Sequence, residues 1–189
     1  MANLAQIEKF LKQKKLPYKV VDLGVEVFTV EGVAEAGVDE DEIVKTLIIR
    51  FQNIQRSPQK VQFVALAVRG NDRVDFKKVR KLFGLSTLQQ VQGRLEYNRK
   101  ATPLPSIILR ASRVKCELAK PEEVEKIAKV PIGAVCPILL DIPLTFDKKV
   151  MKLKHVNMGS GDLRMGLEMD LRDLLKAVVE YQVEDLVIK

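Results

Sequence analysis

The sequence predicts a single α/β or α+β domain, and three observations predict it. The chain has 189 residues, within the roughly 100–200 that one domain takes. Segments with strand periodicity and segments with helical periodicity interleave along it, with no internal repeat and no low-complexity linker. Hydrophobic residues make up 47% and charged residues 30%, the balance of a chain that folds around a core.

The elements follow in order. Asn3 is placed to cap a first helix, with Gln6 three residues on and Leu4, Ile7, Phe10 and Leu11 forming one apolar stripe. Leu16-Pro17 ends it, because a residue before proline avoids the helical region. Tyr18–Leu23 reads as a short strand. Thr29 caps a short helix over Val30–Ala36, which Gly37 closes at a position where a left-handed residue costs least. Asp39–Glu42 is an acidic helical turn. Ile43–Phe51 and Val61–Val68 are strands, and Ser57-Pro58-Gln59 between them has turn composition, so the pair reads as a hairpin. Asp75 caps a helix over Phe76–Phe83, followed by Gly84.

Residues 85–106, Gln-rich and then basic, read as an extended loop or insertion. Ile107–Leu109 and Val114–Leu118 read as strands. Pro121 opens a helix over Glu122–Lys129, at the position where proline is tolerated. Leu139–Phe146 and Lys149–Val156 are candidate strands, Leu167–Met169 is a short one, and Leu171–Tyr181 is a closing helix.

Charge is unevenly divided. Residues 1–20 carry +4 (five Lys, one acid) and residues 21–45 carry −7 (one Lys, eight acids). Residues 46–116 carry +12 (fifteen Lys and Arg, three acids), and residues 117–189 carry −2 (eleven against thirteen). A surplus of that size in one block points to a polyanionic partner, with nucleic acid the commonest, against the plainer reading of a basic surface with no partner. Aromatic residues are only 5%, with no Trp, so phosphate and shape contacts fit better than a base-stacking platform. Cys116 and Cys136 are too few for a disulfide scaffold or a structural zinc site, and the one histidine, His155, excludes paired-His metal motifs. No apolar run approaches a membrane span, and the first ten residues lack the pattern of a secretory signal. The expectation is a cytoplasmic protein that needs neither metal nor organic cofactor and has no membrane partner.

Three places break the pattern of their own segment. Lys45 interrupts the apolar strand Ile43-Val44-Lys45-Thr46-Leu47-Ile48-Ile49, on the face of Ile43, Leu47 and Ile49. Desolvating an unpaired ammonium costs several kcal/mol. Its head must therefore reach a carboxylate, a polar cleft or a ligand anion, unless it snorkels to water or pairs with Glu42 or Asp41. Gly133-Ala134-Val135-Cys136-Pro137 joins a helix to a strand. It reads either as an ordinary connection or as a loop whose amides point into a cavity. Cys136 within it reads as a packed residue rather than a nucleophile. Asn157-Met158-Gly159-Ser160-Gly161-Asp162 directly follows a strand, and with two glycines around a serine it reads either as a plain hairpin turn or as a backbone that approaches a ligand closely. His155 reads as a surface residue.

Taken together and in order, these segments resemble the YbaK and prolyl-tRNA synthetase insertion-domain family. The resemblance is carried by Lys14–Val21, Thr29–Val38, Ile43–Leu47, Gly70–Asp75, Ala119–Val124, the Gly133-x-x-x-Pro137 loop, Gly159–Asp162 and Leu171–Leu174. It implies a mixed, strongly curved sheet surrounded by helices. It also implies an editing enzyme that hydrolyses the ester of mischarged aminoacyl-tRNA, often tRNA for proline. Lys45 then matches the family's key functional lysine, which engages the acceptor end of the tRNA. Gly133 with Ala134, Val135, Cys136 and Pro137 matches the loop that holds the aminoacyl group through its backbone. Gly159, Ser160 and Gly161 match the segment that shapes the amino-acid pocket. The sequence departs from the family in three ways: it lacks the histidine that some members carry there, its 85–106 insertion is longer and basic, and Lys129-Val130 replaces a common Thr-Gly. The implied partners are the acceptor end of an aminoacyl-tRNA and, beyond it, an aminoacyl-tRNA synthetase. A non-catalytic module that holds charged tRNA or a synthetase is the alternative.

Overall fold

The computed structural model describes residues 3–53, 61–84, 114–178 and 180–188. The turn at 57–59, the insertion at 85–106 and the expected strand Ile107–Leu109 lie outside them.

Within the described residues the chain folds as α1 (Leu4–Gln13), β1 (Lys19–Asp22), α2 (Val30–Glu35), a 3-10 turn (Glu40–Glu42), β2 (Ile43–Asn53), β3 (Val61–Arg69) and α3 (Phe76–Gly84). It continues through β4 (Val114–Leu118), α4 (Pro121–Ala128), β5 (Leu144–Asp147), a 3-10 turn (Val150–Lys152), β6 (His155–Gly159), β7 (Met165–Asp170), α5 (Leu171–Ala177) and β8 (Gln182–Glu184). The strands form one mixed sheet in the order β1-β7-β6-β2-β3-β5-β8, with β4 also paired to β2. β2 runs antiparallel to β3 and β4 and parallel to β6; β5 runs parallel to both β3 and β8. The expected mixed sheet flanked by helices is therefore the architecture observed.

Period-two alternation sorts the central strands onto two faces. Ile49 and Phe51 of β2 join Val64, Leu66 and Val68 of β3 under Val79 and Phe83 of α3. The rings of Phe51 and Phe83 lie 5.2 Å apart. On the opposite face Val44, Ala65, Ala67 and Phe146 pack with Ile7 and Leu11 of α1 and Leu171 and Leu174 of α5. A third cluster seats Val124 and Ala128 of α4, with Ala134 and Val135, on Ile48. Packing holds these short helices in place. At ten residues α1 is below the ~12–15 at which helices become stable alone. Its two fully buried side chains stabilise by about 1.5–3 kcal/mol each, more than the ~1 kcal/mol of its Asn3–Gln6 capping box.

Three expected elements differ from the sequence reading. The strand expected over Leu139–Phe146 begins only at Leu144, because Leu139 adopts a left-handed backbone (φ 60°) and Pro143 precedes the pairing. The strand expected over Lys149–Val156 begins at His155. The Asp147 carboxylate accepts from the Lys149 N–H at 2.7 Å, which turns the chain into the 3-10 segment first. The closing helix stops at Ala177, since Val178 is extended (φ −86°, ψ 111°), and the chain continues into β8 along β5.

Candidate active site

The site arises from a split in the sheet. One edge of β2 is covered along its length by β3, from Val44 to Gln52. The other edge is shared: β6 pairs only with Ile43 and Val44, and β4 only from Ile49 to Asn53. Backbone polar groups alternate between the two edges of a strand. The Ile43 carbonyl accepts from Gly70 on the β3 side, and the Ile48 carbonyl accepts from Ala119 on the β4 side. By that parity the N–H and C=O of Thr46 face the gap, where neither β6 nor β4 reaches. At this gap lies a cavity of about 280 Å³, lined by residues 43–48, the 27–30 segment, Gly133, Val135, Asn157, Gly159, Leu163 and Gly166. That is close to the lower end of the volumes that small-molecule pockets take. Phe28, Leu118 and Ile132 line it and are exposed, so they mark its mouth.

Lys45 enters this cavity half-buried. Its ammonium donates to the Gly70 carbonyl at 2.5 Å and makes no ion pair among the described residues, so the expected alternative of pairing with Glu42 or Asp41 is not taken. Burial pushes its pKa below the usual 10.5, against the opposing fields of Asp72 and Glu31. The carbonyl it meets sits on a braced turn. Gly70 donates to the Ile43 carbonyl at 2.7 Å, and a Cβ at this position would lie 2.7 Å from Val30 Cγ1. Two residues on, Asp72 accepts from Arg69 Nε (3.0 Å) and Lys149 Nζ (2.7 Å). Burial raises the Asp72 pKa, but these two hydrogen bonds outweigh it and hold the carboxyl below the usual 3.8.

The two loops named from the sequence meet each other here. Gly133 has φ +93°, a conformation that favours glycine, and a Cβ would lie 3.0 Å from the Phe28 backbone. At Gly159 the demand is one of space: a Cβ would sit 2.6 Å from the Val135 carbonyl oxygen and 2.8 Å from Ala134 C. The Ala134 carbonyl accepts from the Gly161 N–H at 2.8 Å, locking the loop to the β6–β7 hairpin. Among the described residues, no backbone carbonyl accepts from the amide of Gly133 or of Val135.

Of the nine residues expected from the sequence, Lys45, Gly133, Val135 and Gly159 line the cavity. Ala134, Cys136, Pro137, Ser160 and Gly161 are not in its wall. The Ser160 hydroxyl donates instead to the Met165 carbonyl at 2.6 Å, closing the hairpin. Cys136 is buried, and its thiol is pushed up to about 12 by that burial, which suits a packed residue. His155 is exposed and paired with Asp170 at 2.6 Å, away from the cavity. Two polar residues to which the sequence reading gave no role do line it: Thr46, and Asn157 at the start of the 157–162 segment that the reading singled out. The signal for Asn157 was present, since asparagine is depleted in strands and this one stands between Val156 and Met158. Thr46 gave none, because threonine is an ordinary strand residue and its open edge appears only with the strand register.

Among the described residues, no group of three or more His, Cys, Asp or Glu side chains could hold a metal ion, and no helix is long and apolar enough to cross a membrane. The arrangement offers one cation, free backbone donors and an apolar wall, and so fits binding and polarisation of an anionic or carbonyl-bearing ligand.

Comparisons with known proteins bear on the family and the fold. The aminoacyl-tRNA editing domain family matches the chain over residues 25–94 and 107–177. No protein of curated function matches it. Among solved structures, the hypothetical protein APE2540 superposes with a TM-score of 0.65 and 25% identity, over 96% of this chain and 99% of that one. A "putative trans-editing enzyme for prolyl tRNA synthetase" superposes at 0.62 with 22% identity, over 98% and 97%. A protein from work on epitope backbone grafting onto scaffolds gives 0.68 with 18% identity over the whole of both chains.

Proposed function

The chain belongs to the aminoacyl-tRNA editing domain family, and from that premise we propose that it is a cytoplasmic trans-editing deacylase, hydrolysing the ester of a small amino acid mischarged onto tRNA for proline or a related tRNA. The observation that carries the reading is the cavity itself, where Lys45 and the Gly133 loop meet at the open edge of β2. The solved structure described as a trans-editing enzyme for prolyl tRNA synthetase has the same fold and adds support at that level.

Each part has a role in the proposed reaction. The ammonium of Lys45 takes a phosphate or ribose oxygen of the terminal nucleotide as a compact cation. The free amides of Gly133 and Val135 receive the ester carbonyl oxygen as negative charge develops on it. Elsewhere, losing one such donor costs ~10²–10³ in rate. A water attacks the carbonyl carbon, either directly or after the neighbouring ribose hydroxyl has taken over the acyl group. The ester C–O bond breaks, the water's proton passes to the departing ribose oxygen, and free amino acid and tRNA are released. Catalysis is then positioning and electrostatics acting on an already activated ester.

Single-turnover deacylation of alanyl-, cysteinyl- and seryl-tRNA, with correctly charged prolyl-tRNA as control, tests the reading. The native protein releases at least one mischarged amino acid rapidly, and Lys45→Ala slows that release by about 10²-fold or more while the fold survives. Binding of charged tRNA with no release would instead identify a non-catalytic module.

A further inference from the structure

Among the described residues, two buried side-chain polar atoms at the cavity have no hydrogen-bond partner, Thr46 Oγ1 and Asn157 Nδ2. Asn157 is the more telling, because the residue is only 2% exposed. Natural proteins rarely leave a buried amide donor unmet, since the cost is about 1–3 kcal/mol. The surroundings accommodate the side chain: Gly166 on β7 leaves room for it, where a Cβ would sit 2.9 Å from Asn157 Oδ1.

Burial orders the cavity from mouth to floor. Phe28, Ile132 and Gly133 are exposed, Lys45 and Thr46 are half-buried, and Asn157 is closed off from solvent. A bulky nucleic acid stays outside such a pocket, so the ester it carries lies near the mouth with Lys45 and the Gly133 loop. Only the amino-acid side chain reaches the floor. The walls it passes, Val27, Val135, Leu163 and Met165 among them, are apolar. The donor at the floor is therefore directed at the side chain.

We propose that Asn157 is a specificity-determining residue whose amide N–H donates to a side-chain oxygen, so that the edited amino acid is a small hydroxyl-bearing one. The inference rests on the deacylase reading and deepens it. An alanyl group leaves the Asn157 N–H unpaired, whereas a seryl hydroxyl oxygen accepts from it. A site built to hydrogen-bond a substrate hydroxyl discriminates strongly against the analogue that lacks it.

Three measurements decide it. The kcat/KM of the native protein on seryl-tRNA exceeds that on alanyl-tRNA, both on the same tRNA, by on the order of 10- to 100-fold. Asn157→Leu, of similar shape but without the donor, lowers that ratio about tenfold or more. Asn157→Gln, with its donor displaced by one methylene, gives an intermediate ratio. The first comparison needs no variant, so an unstable Asn157→Leu protein does not spare the proposal. A native enzyme that hydrolyses alanyl-tRNA as fast as seryl-tRNA overturns this inference alone. So does an Asn157→Leu protein that loses both activities by one factor, since the amide would then serve the ester. No hydrolysis of any mischarged tRNA overturns the deacylase reading as well.

Discussion

Lys45 is a cation whose surroundings do little to stabilise its charge. Among the described residues its ammonium has a single hydrogen-bond partner, the Gly70 carbonyl, and burial lowers its pKa below 10.5. In the free protein the cost of holding that charge is fully present below the lowered pKa and disappears as pH rises to the unfolded value of 10.5. The lysine is thus retained at some expense of stability, which is the mark of a group kept for a ligand. The pH dependence follows with a definite sign. Affinity for a non-hydrolysable, amide-linked aminoacyl-RNA analogue falls as pH rises, with an inflection below 10.5 that Lys45→Ala abolishes. An affinity that stays level to pH 10.5 in the native protein would show that the charge on Lys45 is not used. Titration by fluorescence anisotropy at fixed ionic strength reads it, because phosphate contacts are salt-sensitive.

At the scale of elements, the β6–β7 hairpin and the Gly133 loop are one unit, held by the Gly161-to-Ala134 hydrogen bond and by contact at Gly159. A methyl group at 159 meets main-chain atoms, which cannot rotate away. Gly159→Ala therefore displaces the loop, costing about 1–3 kcal/mol of stability and more than tenfold in deacylation. Chemical denaturation and single-turnover kinetics on the same sample measure both, and unchanged kinetics would separate the loop from the reaction.

Much of this assembly was legible in the sequence, because backbone rules are local. The cap at Asn3, the glycine closing α2, the proline opening α4 and the alternation in β2 and β3 each state their element within a few residues. Where the reading failed, a nonlocal contact decides. Asp147 accepts from the Leu186 N–H at 2.7 Å as well as from Lys149, so one carboxylate both ends β5 and anchors the segment beyond α5. Nothing near Asp147 or Val178 in sequence records that tie. In the site, residues that break a local pattern, Lys45 and Gly133, were visible. The loop residues Ala134 and Cys136 were drawn in by adjacency, although their side chains face the core.

For the molecule as a whole, the sheet is continuous through β2 on one side and interrupted on the other. Deep strands of a cooperative fold guard their amide hydrogens from solvent, and these hydrogens exchange only when the fold opens. β2 would be expected to do so along its whole length, and for most of it the ladders supply the protection. Thr46 lies in the interrupted stretch. Its N–H faces the gap with no ladder partner, so its hydrogen exchanges on the time scale of cavity hydration while the amides of Lys45 and Leu47, turned toward β3, wait for unfolding. In an amide-resolved NMR exchange experiment Thr46 stands out as a fast site in the middle of a slow strand, and protection as strong as at its neighbours would mean that the gap is closed. When a ligand carbonyl occupies the edge, that one hydrogen slows. The missing rung of the ladder thus gives the protein an occupancy gauge that needs no label and no turnover.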